Sequence, residues 1–202
     1  MYLNFKMPLY ANIQNLIWPI FLIGSLLMLI AYVYQFYDFE NIKHHKKGHI
    51  EINDNEIIID YKQRIEYAEL IDLKFEMDSY HGKRINRYYR HPVEKKSLGI
   101  NNSILLKTKV KSYDFNFKLE DKIHFKELQR TVFEVVKSEK LTKIDLKRQI
   151  ELIPNEMKKF NEYKIFIIKQ IVDKKLNCKE GLLLHGYKSD KEALELRNKY
   201  CK

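Results

Sequence analysis

Hydrophobic and polar positions divide the chain into three stretches of different period. Met7 to Tyr37 carries no charged residue. Within it Leu16 to Phe36 is an apolar run whose helical length, at about 1.5 Å per residue, is about 31 Å, the thickness of a bilayer's hydrocarbon core. Trp18 near one end and Tyr32, Tyr34 and Tyr37 near the other suit the aromatic belts of a membrane interface. Pro19 is expected in the first turn, where its missing N–H costs little. The apolar core is too long for a cleaved signal peptide, and no small-x-small site follows it.

From Gly48 the period becomes two. Gly48–Asn53 and Glu56–Asp60 read as strands around an Asn53-Asp54-Asn55 turn, and Arg64–Tyr67 as a third. In the fourth, Ile71, Leu73, Phe75 and Met77 alternate with Asp72, Lys74, Glu76 and Asp78, the mark of one buried and one wet face. Lys83–Arg90 reads as an edge strand or a long loop. Ile104, Leu106 and Val110 alternate with Leu105, Lys107, Lys109 and Lys111, and after a break near Ser112 Tyr113, Phe115, Phe117 and Leu119 alternate with Asp114, Asn116, Lys118 and Glu120. The expected core is Ile71, Leu73, Phe75, Ile104, Leu106, Phe115, Phe117, Leu128, Val132 and Val135.

The period then shifts to 3.6. Phe125, Leu128, Val132, Val135 and Val136 form one stripe, with Asp121 as N-cap. In the tail Leu146, Ile150, Ile153, Met157, Phe160, Ile167 and Ile171 keep a 4-3-4-3 spacing, the pattern of a helix–helix seam, which Pro154 splits. Leu182–Leu184 suggests a short strand. Ser189-Asp190-Lys191-Glu192 spells a capping box before a last helix, Ala193–Tyr200. The expected organisation is a transmembrane anchor over 1–40, a basic β domain closed by its helix over 41–138, and a helical tail over 139–202. The fold class is α+β: one N-terminal transmembrane helix, a small antiparallel sheet or barrel of about seven strands capped by an amphipathic helix, and a C-terminal helical extension.

That organisation resembles a bacterial membrane-anchored protein with a pleckstrin-homology-like (PH-like) domain. The resemblance rests on the hairpin at Asn53-Asp54-Asn55, the Arg64–Tyr67 strand with its Ala68-Glu69-Leu70-Ile71 turn, and the hairpin and helix from Ser103 to Val136. It covers about residues 48–138 and is one of layout, without an invariant motif. Tyr80–Ile100 departs from it, being longer and more basic than a plain strand connection. The resemblance implies phosphate binding near strand loops.

Charge sharpens the picture. Of 37 Lys and Arg only Lys6 precedes Asp38, and all 27 acids lie at Asp38 or beyond. A simple soluble enzyme and a polytopic transporter are both excluded by that split. Lys43, Lys46 and Lys47 follow the apolar run against Lys6 before it. The positive-inside rule therefore expects a single-pass protein of the cell inner membrane with its C-terminal domain in the cytoplasm. Cys178 and Cys201 have no metal-type spacing and are expected as reduced thiols there.

Candidate chemistry concentrates between His81 and Ser112. Lys83, Arg84, Arg87, Arg90, Lys95, Lys96, Lys107, Lys109 and Lys111 stand there against the single acid Glu94, with Tyr88 and Tyr89 interleaved. Such a stretch gathers phosphate from lipid headgroups, nucleotides or nucleic acid, with arginine forks and tyrosine stacking adding contacts. Arg84 and His91 reproduce the R-x4–6-H spelling of HEPN-type ribonucleases, outside the helical context that chemistry needs. His44, His45 and His49 lack a carboxylate or thiol at ligand spacing. No metal or cofactor motif is present, and no enzyme is expected. The leading expectation is a non-enzymatic membrane protein binding anionic phosphate-bearing ligands, membrane lipids first, or a protein partner. The alternative is an oligomeric, pore-forming membrane effector of a bacterial antiviral system such as a CRISPR one, sensing nucleotide or nucleic acid. In it the anchor or tail helices would form the homo-oligomer. The few polar groups in the span (Ser25, with Gln14 and Asn15 at its edge) favour the first.

Overall fold

The computed structural model describes residues 9–34, 37, 39, 48–85 and 96–201. The chain divides into two compact units, one of residues 1–42 with 84–97 and one of 43–83 with 98–202.

In the first unit, helix α1 runs Leu9–Tyr34. Its Ile17–Tyr34 stretch has a mean hydropathy of 2.1, long and apolar enough to cross a membrane, and its position near the N-terminus also suits a signal sequence. From Ile17 to Tyr34 every residue is exposed. The helix starts earlier than the apolar run, so Pro19 lies inside it and not in its first turn. The carbonyl one turn earlier therefore lacks its usual partner, while Ser25 Oγ donates to the Phe21 carbonyl at 2.8 Å. Phe39 bridges to Lys96, whose ammonium lies 5.4 Å from the Phe39 ring centre.

The second unit opens with the antiparallel meander β1 (Ile50–Ile52), β2 (Glu56–Ile59) and β3 (Gln63–Glu66). The Asn53 side chain makes the first turn, accepting from the backbone N–H groups of Asn55 and Glu56 at 3.0 and 2.9 Å, as Asn does in tight turns. At the second turn Asp60 and Tyr61 have φ of 52° and 59°, the left-handed geometry of a type I′ turn. A 3-10 turn over Tyr67–Glu69, whose Tyr67 hydroxyl donates to the Asn53 carbonyl at 2.6 Å, leads into the second sheet. That sheet has the order β4 (Leu70–Met77), β7 (Asn102–Thr108), β8 (Ser112–Phe117). Between them in sequence, β5 (His81–Arg84) and β6 (Lys96–Leu98) pair as a ribbon.

Among the described residues, eight strands in three sheets thus stand where about seven in one sheet or barrel were expected. The described strands close no barrel, because no ladder joins β1–β3 to β4–β7–β8. A register shift between Leu70 and Asp72 explains a second difference. It brings Leu70 and Leu73 both into the core and leaves Ile71 half-buried. Leu73, Ile104, Leu106, Leu128, Val132 and Val135 are buried as expected, whereas Phe75, Phe115 and Phe117 are half-buried. Val110 is 96% exposed, since the alternation stops at Thr108 and the residue sits in a turn.

Helix α2 (Lys122–Lys137) starts at Asp121, whose carboxylate accepts from the N–H groups of Ile123 and His124 at 2.7 and 2.8 Å. Pro154 separates α3 (Leu146–Leu152) from α4 (Asn161–Val172). Leu182–Leu184 belongs to a helix, α5 (Cys178–His185), and not to a strand. Ser189 caps α6 (Asp190–Tyr200). The tail shares its core with the sheets: Leu141, Ile150, Ile153, Tyr163, Phe166, Ile167 and Ile171 cluster with Ile57, Ile65, Leu73, Ile104 and Leu106. Phe160 breaks the expected seam, being exposed. Cys178 and Cys201 form a disulfide, contrary to the expectation of free thiols, because the α5–α6 hairpin brings their Cα atoms to 5.6 Å.

Candidate basic site

The structure divides the basic stretch. Arg87, Tyr88, Tyr89, Arg90 and Lys95, with His91, lie outside the described residues. Arg84 ends β5 and is exposed; Lys96 opens β6 against the Phe39 ring. Both belong to the first unit.

In the second unit Lys83 and the three lysines of the β7–β8 hairpin stand apart. Lys83 donates through its ammonium to the Asp78 carbonyl and lies 5.8 Å from the Phe125 ring centre. That is the end of the sheet where β7 begins. There Asn102, almost fully buried, accepts from the N–H groups of Asp78 and Ser79 at 2.9 and 3.1 Å. Its amide donates to the Ser79 and Gly99 carbonyls at 2.9 and 2.8 Å. Gly99 is needed beside it: its φ is +73°, and a Cβ there would lie 2.4 Å from both the His81 nitrogen and the Leu119 oxygen. Lys107 is five residues further along β7, about 17 Å at the rise of a strand.

The hairpin end is built by Thr108. Its hydroxyl accepts from the N–H groups of Val110 and Lys111 at 3.3 and 3.0 Å and donates to the Lys111 carbonyl at 3.0 Å. A turn closed this way projects Lys107, Lys109 and Lys111, all exposed, around Val110. Lys107 lies across the ladder from Asp72, whose carboxylate faces Arg148 at 3.8 Å. The Lys111 ammonium sits 4.6 Å from the Tyr113 ring centre, a contact that leaves its charge intact. Among the described residues no carboxylate is in ion-pair reach of these three ammonium groups.

One neighbour escaped the sequence. Gln63, the first residue of β3, donates from its amide to the Tyr113 hydroxyl. The β2–β3 turn with Lys62 therefore lies at the same end as the β7–β8 turn. No local pattern reports a pairing 50 residues apart.

Elsewhere in the unit an open groove of about 300 Å³ is lined by Phe75, Met77, Gln129, Glu151, Leu152 and Glu156 among others. Its two carboxylates make it unsuitable for phosphate. His49 stacks on Tyr61, ring centres 4.5 Å apart, while His44 and His45 lie outside the described residues. The described residues contain no cluster of three or more His, Cys, Asp or Glu able to hold a metal. Among family models, curated proteins and solved structures, none matches this chain.

Proposed function

We propose that this is a non-enzymatic, membrane-anchored binding protein whose β7–β8 hairpin holds anionic phosphate groups. One observation carries the reading: Lys107, Lys109 and Lys111 project from a single turn, with no carboxylate among the described residues paired to them. Three ammonium groups left in water on a short, fixed hairpin make a positive concentration that a solubilising surface would intersperse with acids. Supporting it, antiparallel sheets are followed by the capped helix α2, and α1 supplies a span of membrane length.

The binding is electrostatic, so it weakens with salt as each contact is screened or exchanged for a counterion. Detergent-solubilised full-length protein should be retained on immobilised inorganic polyphosphate at low ionic strength and elute steeply as salt rises. Elution independent of salt, or no retention at all, contradicts the reading.

A further inference from the structure

We infer that the end of the second unit carrying the β2–β3 and β7–β8 turns is a membrane-interface surface, in which Tyr61 and Val110 enter the headgroup layer of an anionic bilayer. This rests on the phosphate-binding reading and names its source as lipid. Each turn exposes one residue that water does not favour: Tyr61 is 73% exposed and Val110 96% exposed. Lysines flank both, Lys62 at the first and Lys109 with Lys111 at the second. The Gln63–Tyr113 hydrogen bond links β3, just after the first turn, to β8, just after the second. Asp60, the acid of the first turn, is engaged, accepting from the His49 backbone N–H at 2.8 Å.

A soluble polyanion would use the lysines and gain nothing from an apolar tip. A bilayer uses both, because ammonium groups meet lipid phosphates while a valine and an amphipathic tyrosine reach the acyl boundary. Tyrosine prefers that depth, its ring apolar and its hydroxyl wet. The chain also enters the unit here. His49 lies opposite Asp60 and is stacked on Tyr61. Each lysine near an anionic surface is worth about a five-fold change in partition.

Trp18 is the only tryptophan, which allows a single-indole reporter in the full-length chain. The Trp18→Phe, Val110→Trp double variant, reconstituted into phosphatidylcholine vesicles with phosphatidylglycerol, should emit to the blue of an exposed indole. Lipids brominated on shallow acyl carbons should quench it. Removing phosphatidylglycerol, or adding Lys107→Glu and Lys109→Glu, should abolish the quenching. A Tyr61→Trp reporter in the Trp18→Phe background should behave alike. An unquenched, water-like indole that responds to added polyphosphate would overturn the membrane surface and keep the phosphate site. An indole that responds to neither would overturn both. An indole protected from a soluble quencher but not reached by bromine would assign the tip to a protein partner and overturn the lipid assignment.

Discussion

At the residue scale, the positions that hold the second unit together are polar groups with complete sets of partners. Asn102 carries no sequence signal of its own, yet it ties the β4–β5 connection to the Gly99 turn. Glu139 is comparable. It follows α2 in the left-handed conformation, φ 58°, a place where glycine is usual. Its carboxylate accepts from the ammonium groups of Lys169, at 2.8 Å, and Lys175, and from the Gln170 amide at 3.3 Å. Those hydrogen bonds, Lys169 first, lower its pKa from the ordinary 4.5 to about 2. A carboxylate held below its unfolded value stabilises the fold above that value, and the contribution is lost as protons bind on descending through the folded one. The stability of the unit should therefore fall between pH 4.5 and about 2, in part through this group. Glu139→Gln should flatten that limb of a denaturation profile and cost about 1 kcal/mol at neutral pH, since the carboxylate is partly solvated and screened. An unchanged acid limb would show that the bridge does not form in solution.

At the element scale, what was legible depended on how local the signal was. The Asn53 turn, the Asp121 cap, the Ser189 cap and the stop at Pro154 are written within three or four residues, and each appears where the sequence puts it. Leu182–Leu184 misleads because a short apolar run suits a strand or a buried helix equally. The deciding signal was Asn177, whose side chain accepts from the Glu180 N–H at 2.8 Å and caps α5. Val110 misleads because strict alternation runs on into a turn closed by Thr108. The disulfide was illegible, since 23 residues of separation say nothing until α5 and α6 fold back on each other. In the loop-entropy account, a crosslink over a loop of that length contributes about 3 kcal/mol. Cys178→Ser should lower the denaturation midpoint accordingly, and reducing agent should lower the wild type to the same value. Equal midpoints in oxidised protein, reduced protein and variant would mean the bond adds nothing.

At the scale of the whole molecule, orientation and redox state pull apart. By the positive-inside rule Lys43, Lys46 and Lys47 against Lys6 lead us to expect the folded unit in the cytoplasm, whereas a disulfide persists in oxidising compartments. We propose that the lysines decide, because topology is set at insertion, before the unit folds. The Cys178–Cys201 geometry then allows a bond whose state follows the compartment. A reporter joined after Lys202 should be active in the cytoplasm, with both thiols open to alkylation in cells quenched with acid. A reporter active only outside would reverse the orientation and make the disulfide permanent. The basic stretch shows the limit of reading composition at this scale. Its lysines looked like one cluster because they are close in sequence, and β7 carries Lys107, Lys109 and Lys111 to the opposite end of the sheet from Lys83.

The most direct test of the central claim reverses those three lysines. Full-length protein bearing Lys107→Glu, Lys109→Glu and Lys111→Glu is compared with wild type for retention on polyphosphate and for melting temperature in the same buffer. Exposed charges contribute about 0–1 kcal/mol each to stability, and among the described residues none of these three is in an ion pair that reversal would break, although Lys107→Glu faces Asp72 across the ladder. The account predicts that retention at low salt disappears while the melting temperature stays nearly unchanged. Retention equal to the wild type would contradict it.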